Sequence, residues 1–209
     1  MRKCLIIILG IFLALALYQN VFSDKYGIKG GLNFAYVSNV EAAPGLDHSR
    51  HTGLIFGGFY RFDLNDIFAL QPEVYYSQKG MQVSGTISGT QVTGKDLLYY
   101  IEIPVLMKVK IPAKGKFIPS LFAGPYASYL LIAKEKSEWN GESGEKNITD
   151  DLKVLDFGLA FGANLDYEIG KGSIILDVRY SLGLLKIQKE GDEPDSKNSS
   201  LTVMMGYAF

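Results

Sequence analysis

Beyond residue 24, apolar and polar side chains alternate at every second position, in runs that reach about 11 residues or more. A period of two means extended strands whose two faces meet different surroundings. Eight such runs are read, at 26–37, 53–63, 67–79, 97–111, 117–132, 154–168, 173–185 and 199–209. The fourth is the clearest. There Tyr99, Ile101, Ile103, Val105, Met107, Val109 and Ile111 alternate with Tyr100, Glu102, Pro104, Leu106, Lys108 and Lys110. The fifth is apolar or small on both faces, and Leu121, Ala123, Ala127, Tyr129 and Leu131 are expected to face outward.

A soluble sandwich also alternates, but its strands average about 5–6 residues. A tilted strand needs roughly 9–11 to cross a bilayer. The charged face also carries Gly31, Gly57, Gly158, Gly162, Gly183 and Gly206, small residues suited to the inside of a tightly curved sheet. In lipid every backbone N–H and C=O needs a partner within the protein, so the sheet has to close. The expected fold is all-β, a single eight-stranded antiparallel up-and-down transmembrane β-barrel. Short connections at 64–66, 112–116 and 170–172 alternate with long polar ones at 38–52, 80–96, 133–153 and 186–198. The short set belongs in the periplasm and the long set outside the cell. Within 80–96, residues 82–94 are read as continuing their hairpin above the membrane, too polar to add two more spanning strands.

Residues 1–23 read as a cleaved signal peptide: Arg2 and Lys3, an apolar run over 5–17, then Val21-Phe22-Ser23. The alternative is an uncleaved N-terminal anchor. The barrel then occupies 24–209. Cys4, the single cysteine, precedes the apolar run rather than following it, which argues against lipidation, and leaves the mature part without a disulfide or thiolate metal site. Without the leader, 19 basic residues face 22 acidic ones, a net of −3. No strongly basic surface for nucleic acid remains.

Eight strands leave an interior about filled by side chains. The inward set Lys29, Arg61, Glu73, Glu102, Lys108, Lys110, Asp156, Asp166, Glu168, Asp177 and Arg179 is nearly balanced in sign. A buried ion-pair network is expected, because unpaired buried charge is costly. Tyr26, Tyr36, Tyr60, Phe62, Phe68, Tyr76, Tyr99, Tyr167 and Tyr180 lie near strand ends, where two interfacial aromatic girdles belong.

The Lys29-Gly30-Gly31-Leu32-Asn33 start, the run from Gln71-Pro72-Glu73 to Gln78-Lys79-Gly80, and Phe122-Ala123-Gly124-Pro125-Tyr126 resemble the outer-membrane β-barrel domain of "porin family" proteins. These are relatives of the OmpA/OmpX-like eight-stranded barrels. The closing Met205-Gly206-Tyr207-Ala208-Phe209 fits as well, and the resemblance spans about residues 25–209. It implies location in the outer membrane and a last strand whose Tyr207 and Phe209 are read by the barrel-assembly machinery. It implies no catalytic residue, cofactor or metal, and the family name does not imply conduction.

Other motifs carry little. Gly89 to Asp96 approaches a phosphate-binding loop, but Asp96 stands where a Ser or Thr binds magnesium and no strand–loop–helix surrounds it. Asp156-Phe157-Gly158 copies a kinase signature inside a strand. His48 and His51 beside Asp47 read first as solvated loop residues, with a metal or hydrolase site as the alternative. The sequons at Asn147 and Asn198 mean little in a bacterial chain. The expected partners are outer-membrane lipid and lipopolysaccharide, the assembly machinery, and an external ligand at the four long loops. A monomer is expected. The leading role is structural or interaction through those loops. The alternatives are a narrow porin-like channel, a lipid-modifying enzyme, and a soluble periplasmic ligand binder.

Overall fold

The computed structural model describes residues 25–38, 46–87, 90–139, 142–188 and 196–209. The expected signal peptide lies outside the described residues. The strands are β1 (Lys25–Ser38), β2 (Leu46–Asp63), β3 (Phe68–Ile87), β4 (Thr90–Lys110), β5 (Phe117–Trp139), β6 (Glu142–Asn147), β7 (Leu155–Ile169), β8 (Gly172–Gly183) and β9 (Lys197–Ala208). Each pairs antiparallel with its neighbour in the order β4-β3-β2-β1-β9-β8-β7-β5-β6, and β4 also pairs with β5. That last pairing closes a ring of eight strands. β6 stays outside the ring and pairs with the upper end of β5.

The facing follows the alternation. On β4, Val105, Met107 and Val109 are exposed on the outer wall, while Leu106 and Lys108 between them, and Glu102 before them, are buried. On β5, Leu121, Tyr129 and Leu131 face out and Phe122, Tyr126 and Leu130 face in, which settles its ambiguous pattern as expected. A bulge at Leu131 of β5, opposite Tyr99 and Tyr100 of β4, sets Leu131 and Ile132 side by side on the outer surface.

Aromatic contacts gather at two levels of that surface. Near the short turns, Tyr26 stacks on Phe209, and the tilted ring pairs Tyr60–Phe62 and Phe117–Tyr167 lie beside them. Toward the other end, Tyr76 contacts Phe56 and Tyr99, and Tyr180 contacts Phe161 while meeting the Tyr36 hydroxyl at 2.5 Å. The apolar wall lies between these levels, as in a transmembrane barrel.

Much of the expected loop sequence is strand. Residues 46–52 belong to β2, 80–87 and 90–96 to β3 and β4, and 133–139 to β5. The β3–β4 ladder continues to Ile87↔Thr90. Above the bilayer both faces meet water, so the backbone ladder continues while the apolar–polar period that reveals it disappears.

Five of the eight seams are unbroken. The other three carry register shifts or gaps, and within the wall each skips two rungs: Tyr60–Arg61 opposite Gln71–Pro72, Glu73–Val74 opposite Ile103–Pro104, and Val105–Leu106 opposite Gly124–Pro125. Each of these three two-rung gaps holds one proline, which has no N–H to give. The register leaves the carbonyls of Tyr60, Glu73 and Val105 without a ladder donor.

Candidate functional site: a charged lumen under an extracellular hairpin sheet

Inward-facing positions of all eight ring strands meet around a narrow axis. The charged residues buried there are Lys29, Arg61, Lys79, Lys108 and Arg179, against Glu73, Glu102, Asp156, Asp166 and Asp177. Among the described residues, then, five cations match five anions.

They fall into three groups. In the central one, Lys29 Nζ lies 2.9 Å from Glu73 Oε1 and 2.7 Å from Asp177 Oδ2. Arg179 Nη1 lies 2.7 Å from Glu73 Oε2, with Nη2 3.4 Å from Asp177 Oδ2. Gln71 Nε2 donates to Glu73 Oε1 at 2.6 Å. The Arg179 guanidinium also lies over the rings of Tyr75 and Phe122, at 5.4 and 5.1 Å. Two glycines make room for those rings. A Cβ on Gly57 would lie 2.7 Å from the Tyr75 ring, and one on Gly162 would lie 2.7 Å from Phe122.

Toward the short turns, Arg61 Nη1 pairs with Asp166 Oδ2 at 2.6 Å, and Asn164 donates to the same carboxylate. Toward the long hairpins, Lys79 Nζ pairs with Glu102 Oε2 at 2.6 Å and lies over the Tyr126 ring. Asn198 donates to the Asp156 carboxylate and to the Tyr100 hydroxyl, both at 3.1 Å.

The placement of the expected lumen residues is uneven. Lys29, Arg61, Glu73, Glu102, Asp156, Asp166, Asp177 and Arg179 meet partners inside the ring. Lys108 is buried but has no carboxylate within 4 Å among the described residues. Lys110 lies at the rim, 3.4 Å from Asp63. Glu168 is a correction: it is exposed, because its rung with Ser173 is the last but one before the turn at Gly170, at the open end of the ring. Lys79 was missed, although it shares the parity of Glu73, Tyr75 and Ser77, because the apolar half of the pattern stops there. Asn198 was missed because it falls in sequence read as loop.

The outer mouth is built over. Loop residues 148–152 fold back so that Leu152 and Ile148 pack on Leu98, Tyr100, Leu130 and Ala133. Thr149 Oγ1 accepts from the Ala133 N–H at 2.8 Å. Leu152 bridges to Gln188, and Lys153 N–H donates to the Ile187 carbonyl at 2.8 Å, which ties the third long connection to the fourth.

Above the mouth, β3, β4, β5 and β6 continue as one antiparallel extension. Its outward face carries Thr93, Lys95, Lys134, Lys136, Glu138, Ser143 and Glu145 around a cavity of about 270 Å³, which Lys134 flanks. Glu145 takes Lys134 at 2.6 Å and Lys136 at 3.2 Å. Hydrogen bonding to these lysines holds the Glu145 carboxyl below its usual range. On the opposite face Asp96 stands directly across from Glu135. Burial first, and Glu135 second, push the Asp96 carboxyl up to about 6. His51 lies on β2 opposite Ala35, and no cluster of three metal-ligating side chains occurs among the described residues. The side chains of Asp47 and His48 lie outside the described residues.

The chain is similar in structure to several solved outer-membrane proteins. With OprG of Pseudomonas aeruginosa the TM-score is 0.49 at 12% identity, over 91% of this chain and 97% of that one. With Neisserial surface protein A it is 0.47 at 12% identity, over 88% and 95%. With the outer membrane protease OmpT of Escherichia coli it is 0.49 at 9% identity, over 92% and 99%. No curated protein matches the chain. The family model described as "Outer membrane protein beta-barrel domain" matches residues 22–189, and the chain therefore belongs to that family and resides in the outer membrane.

Proposed function

We propose that this chain is a sealed, non-catalytic barrel of the cell envelope, anchored as a monomer, which acts through its extracellular hairpins and not by passing solutes. The packing of the lumen carries the reading. Arg179 is 1% exposed and Glu73 0%, and they cross the axis between the Tyr75 and Phe122 rings. An ion entering there would have to break a charge-neutral set of ion pairs in a low-dielectric interior. The Leu152 and Ile187 cover stands above the set. The strands rise past the bilayer into paired hairpins, which offer ordered surface to lipopolysaccharide and external ligands. Tyr207 and Phe209, edge to face at 5.0 Å on the outer wall beside the closing seam, are the aromatic pair offered to the assembly machinery.

Planar-bilayer recording of the refolded mature chain tests the seal. The expected trace is flat. Discrete unitary steps from the wild type would overturn the reading and favour the porin-like alternative.

A further inference from the structure

On β4 and β5 the outward-facing series does not end at the bilayer. It passes from Tyr99 and Ile132, in the upper aromatic level, through Leu97 and Lys134 to Lys95 and Lys136. Lys95 lies four residues beyond Tyr99, roughly 13 Å along the strand and roughly 9 Å along the membrane normal at a 45° tilt. That is the height of headgroup sugars and phosphates. The face also looks sideways over the lipid rather than up into the medium.

Lys95 and Lys136 are directly opposed across the ladder and both are exposed. Like charges so placed destabilise a strand pair. Glu145 answers for Lys134 and Lys136, but Lys95 has no carboxylate within 4 Å among the described residues. The cavity beside Lys95 is also lined by the hydroxyl residues Thr93 and Ser143, which share its face of the ladder. Glu138 lines it too, so Lys95, Lys134, Lys136, Glu138 and Glu145 sum to +1. Recognition would rest on placed donors rather than on bulk charge.

We propose that this face, centred on Lys95 and Lys136, binds the phosphate groups of an outer-leaflet glycolipid. The inference rests on the reading that the hairpins are the working surface, and it names their ligand. Two ammonium groups and flanking hydroxyls supply donors to phosphate oxygens, and a bound phosphate relieves the opposed lysines. A glycolipid is favoured over a soluble anion because the face continues the lipid-facing wall without a break.

The test uses the mature chain in phosphatidylcholine nanodiscs, titrated with lipopolysaccharide, dephosphorylated lipopolysaccharide and inorganic phosphate. Lys95→Gln with Lys136→Gln is expected to weaken lipopolysaccharide binding about thirtyfold, the effect of two surface lysines on an anionic headgroup. Lys114→Gln with Lys116→Gln, at a turn on the other end, is the control and is expected to leave binding unchanged. A second readout has opposite signs. Without lipopolysaccharide the Lys95 and Lys136 changes relieve repulsion and raise amide protection in β4 and β5; with it they lower protection relative to wild type. Equal binding by the double variant and wild type overturns the proposal. So does full binding of the dephosphorylated lipid, or displacement by inorganic phosphate at the concentration that lipopolysaccharide itself needs. The titration reads the hairpin alone, so its failure leaves the sealed lumen standing, as a conducting channel would leave this site standing.

Discussion

Glu73 offers the sharpest test of the lumen, because its carboxylate is fully buried, accepts two hydrogen bonds at one oxygen and is ion-paired at the other. Lys29 lies 2.9 Å away, Arg179 2.7 Å and Gln71 2.6 Å. Glu73→Gln keeps the shape and removes the charge. Lys29 and Arg179 are then left to share Asp177, at 2.7 and 3.4 Å, and the buried set carries a net +1. Breaking a buried pair from one side costs about 3–5 kcal/mol. Since both cations keep one partner, the expected loss is at the low end, about 3 kcal/mol, or roughly 150-fold in the unfolding equilibrium. The measurement is equilibrium denaturant unfolding in lipid vesicles, followed by circular dichroism. Lys29→Met in the Glu73→Gln background restores neutrality and is expected to recover part of the loss, so the double variant falls short of the sum of the singles. A loss under about 0.5 kcal/mol, or strict additivity, would refute the claim that these charges hold one another in place.

The lipid-facing wall, the hairpins and the crowded interior give further expectations. Val105→Arg places a cation on the exposed outer wall and is expected to cost roughly 2–4 kcal/mol in vesicle unfolding; a neutral result would turn Val105 away from mid-bilayer lipid. Asp96, held near 6 when folded, binds its proton more tightly there than in the unfolded chain. Its contribution to hairpin order is therefore complete below the ordinary carboxyl range near 4 and lost as pH rises through about 6. Asp96→Asn is expected to raise β4–β5 amide protection above pH 6, corrected for intrinsic exchange, and to flatten its dependence on pH. Gly57→Val would place a Cβ 1.9 Å from the Val74 carbonyl and 2.7 Å from the Tyr75 ring. It is expected to abolish the heat-modifiable folded band on gels.

The spanning part of this fold was legible because the bilayer imposes the same demand on each strand. Apolar residues out and all else in is a rule that Val105 and Leu106 already show side by side. Where water replaces lipid the rule lapses. Residues 46–50 and 133–139 pair in ladders that continue the spanning strands, yet nothing in their side chains reveals it. Lys79 and Glu168 mark the same boundary from opposite sides. The first lies inside the ring where the pattern had faded, and the second outside it where the parity ran on. The pairing of individual charges was not legible at all. Lys29 finds Asp177, 148 positions away, only because ring closure and strand stagger bring β1 and β8 to one level.

The proline gaps have a mechanical consequence. Each falls between strands that follow one another along the chain, where a covalent hairpin keeps the two from drifting apart. The seam between the first and last strands has no such tether. There Gly27 meets Ala208 and Ser38 meets Lys197 with every rung between them present. Missing rungs are thus tolerated where the polypeptide itself acts as the clasp. The one joint that relies wholly on hydrogen bonds is complete.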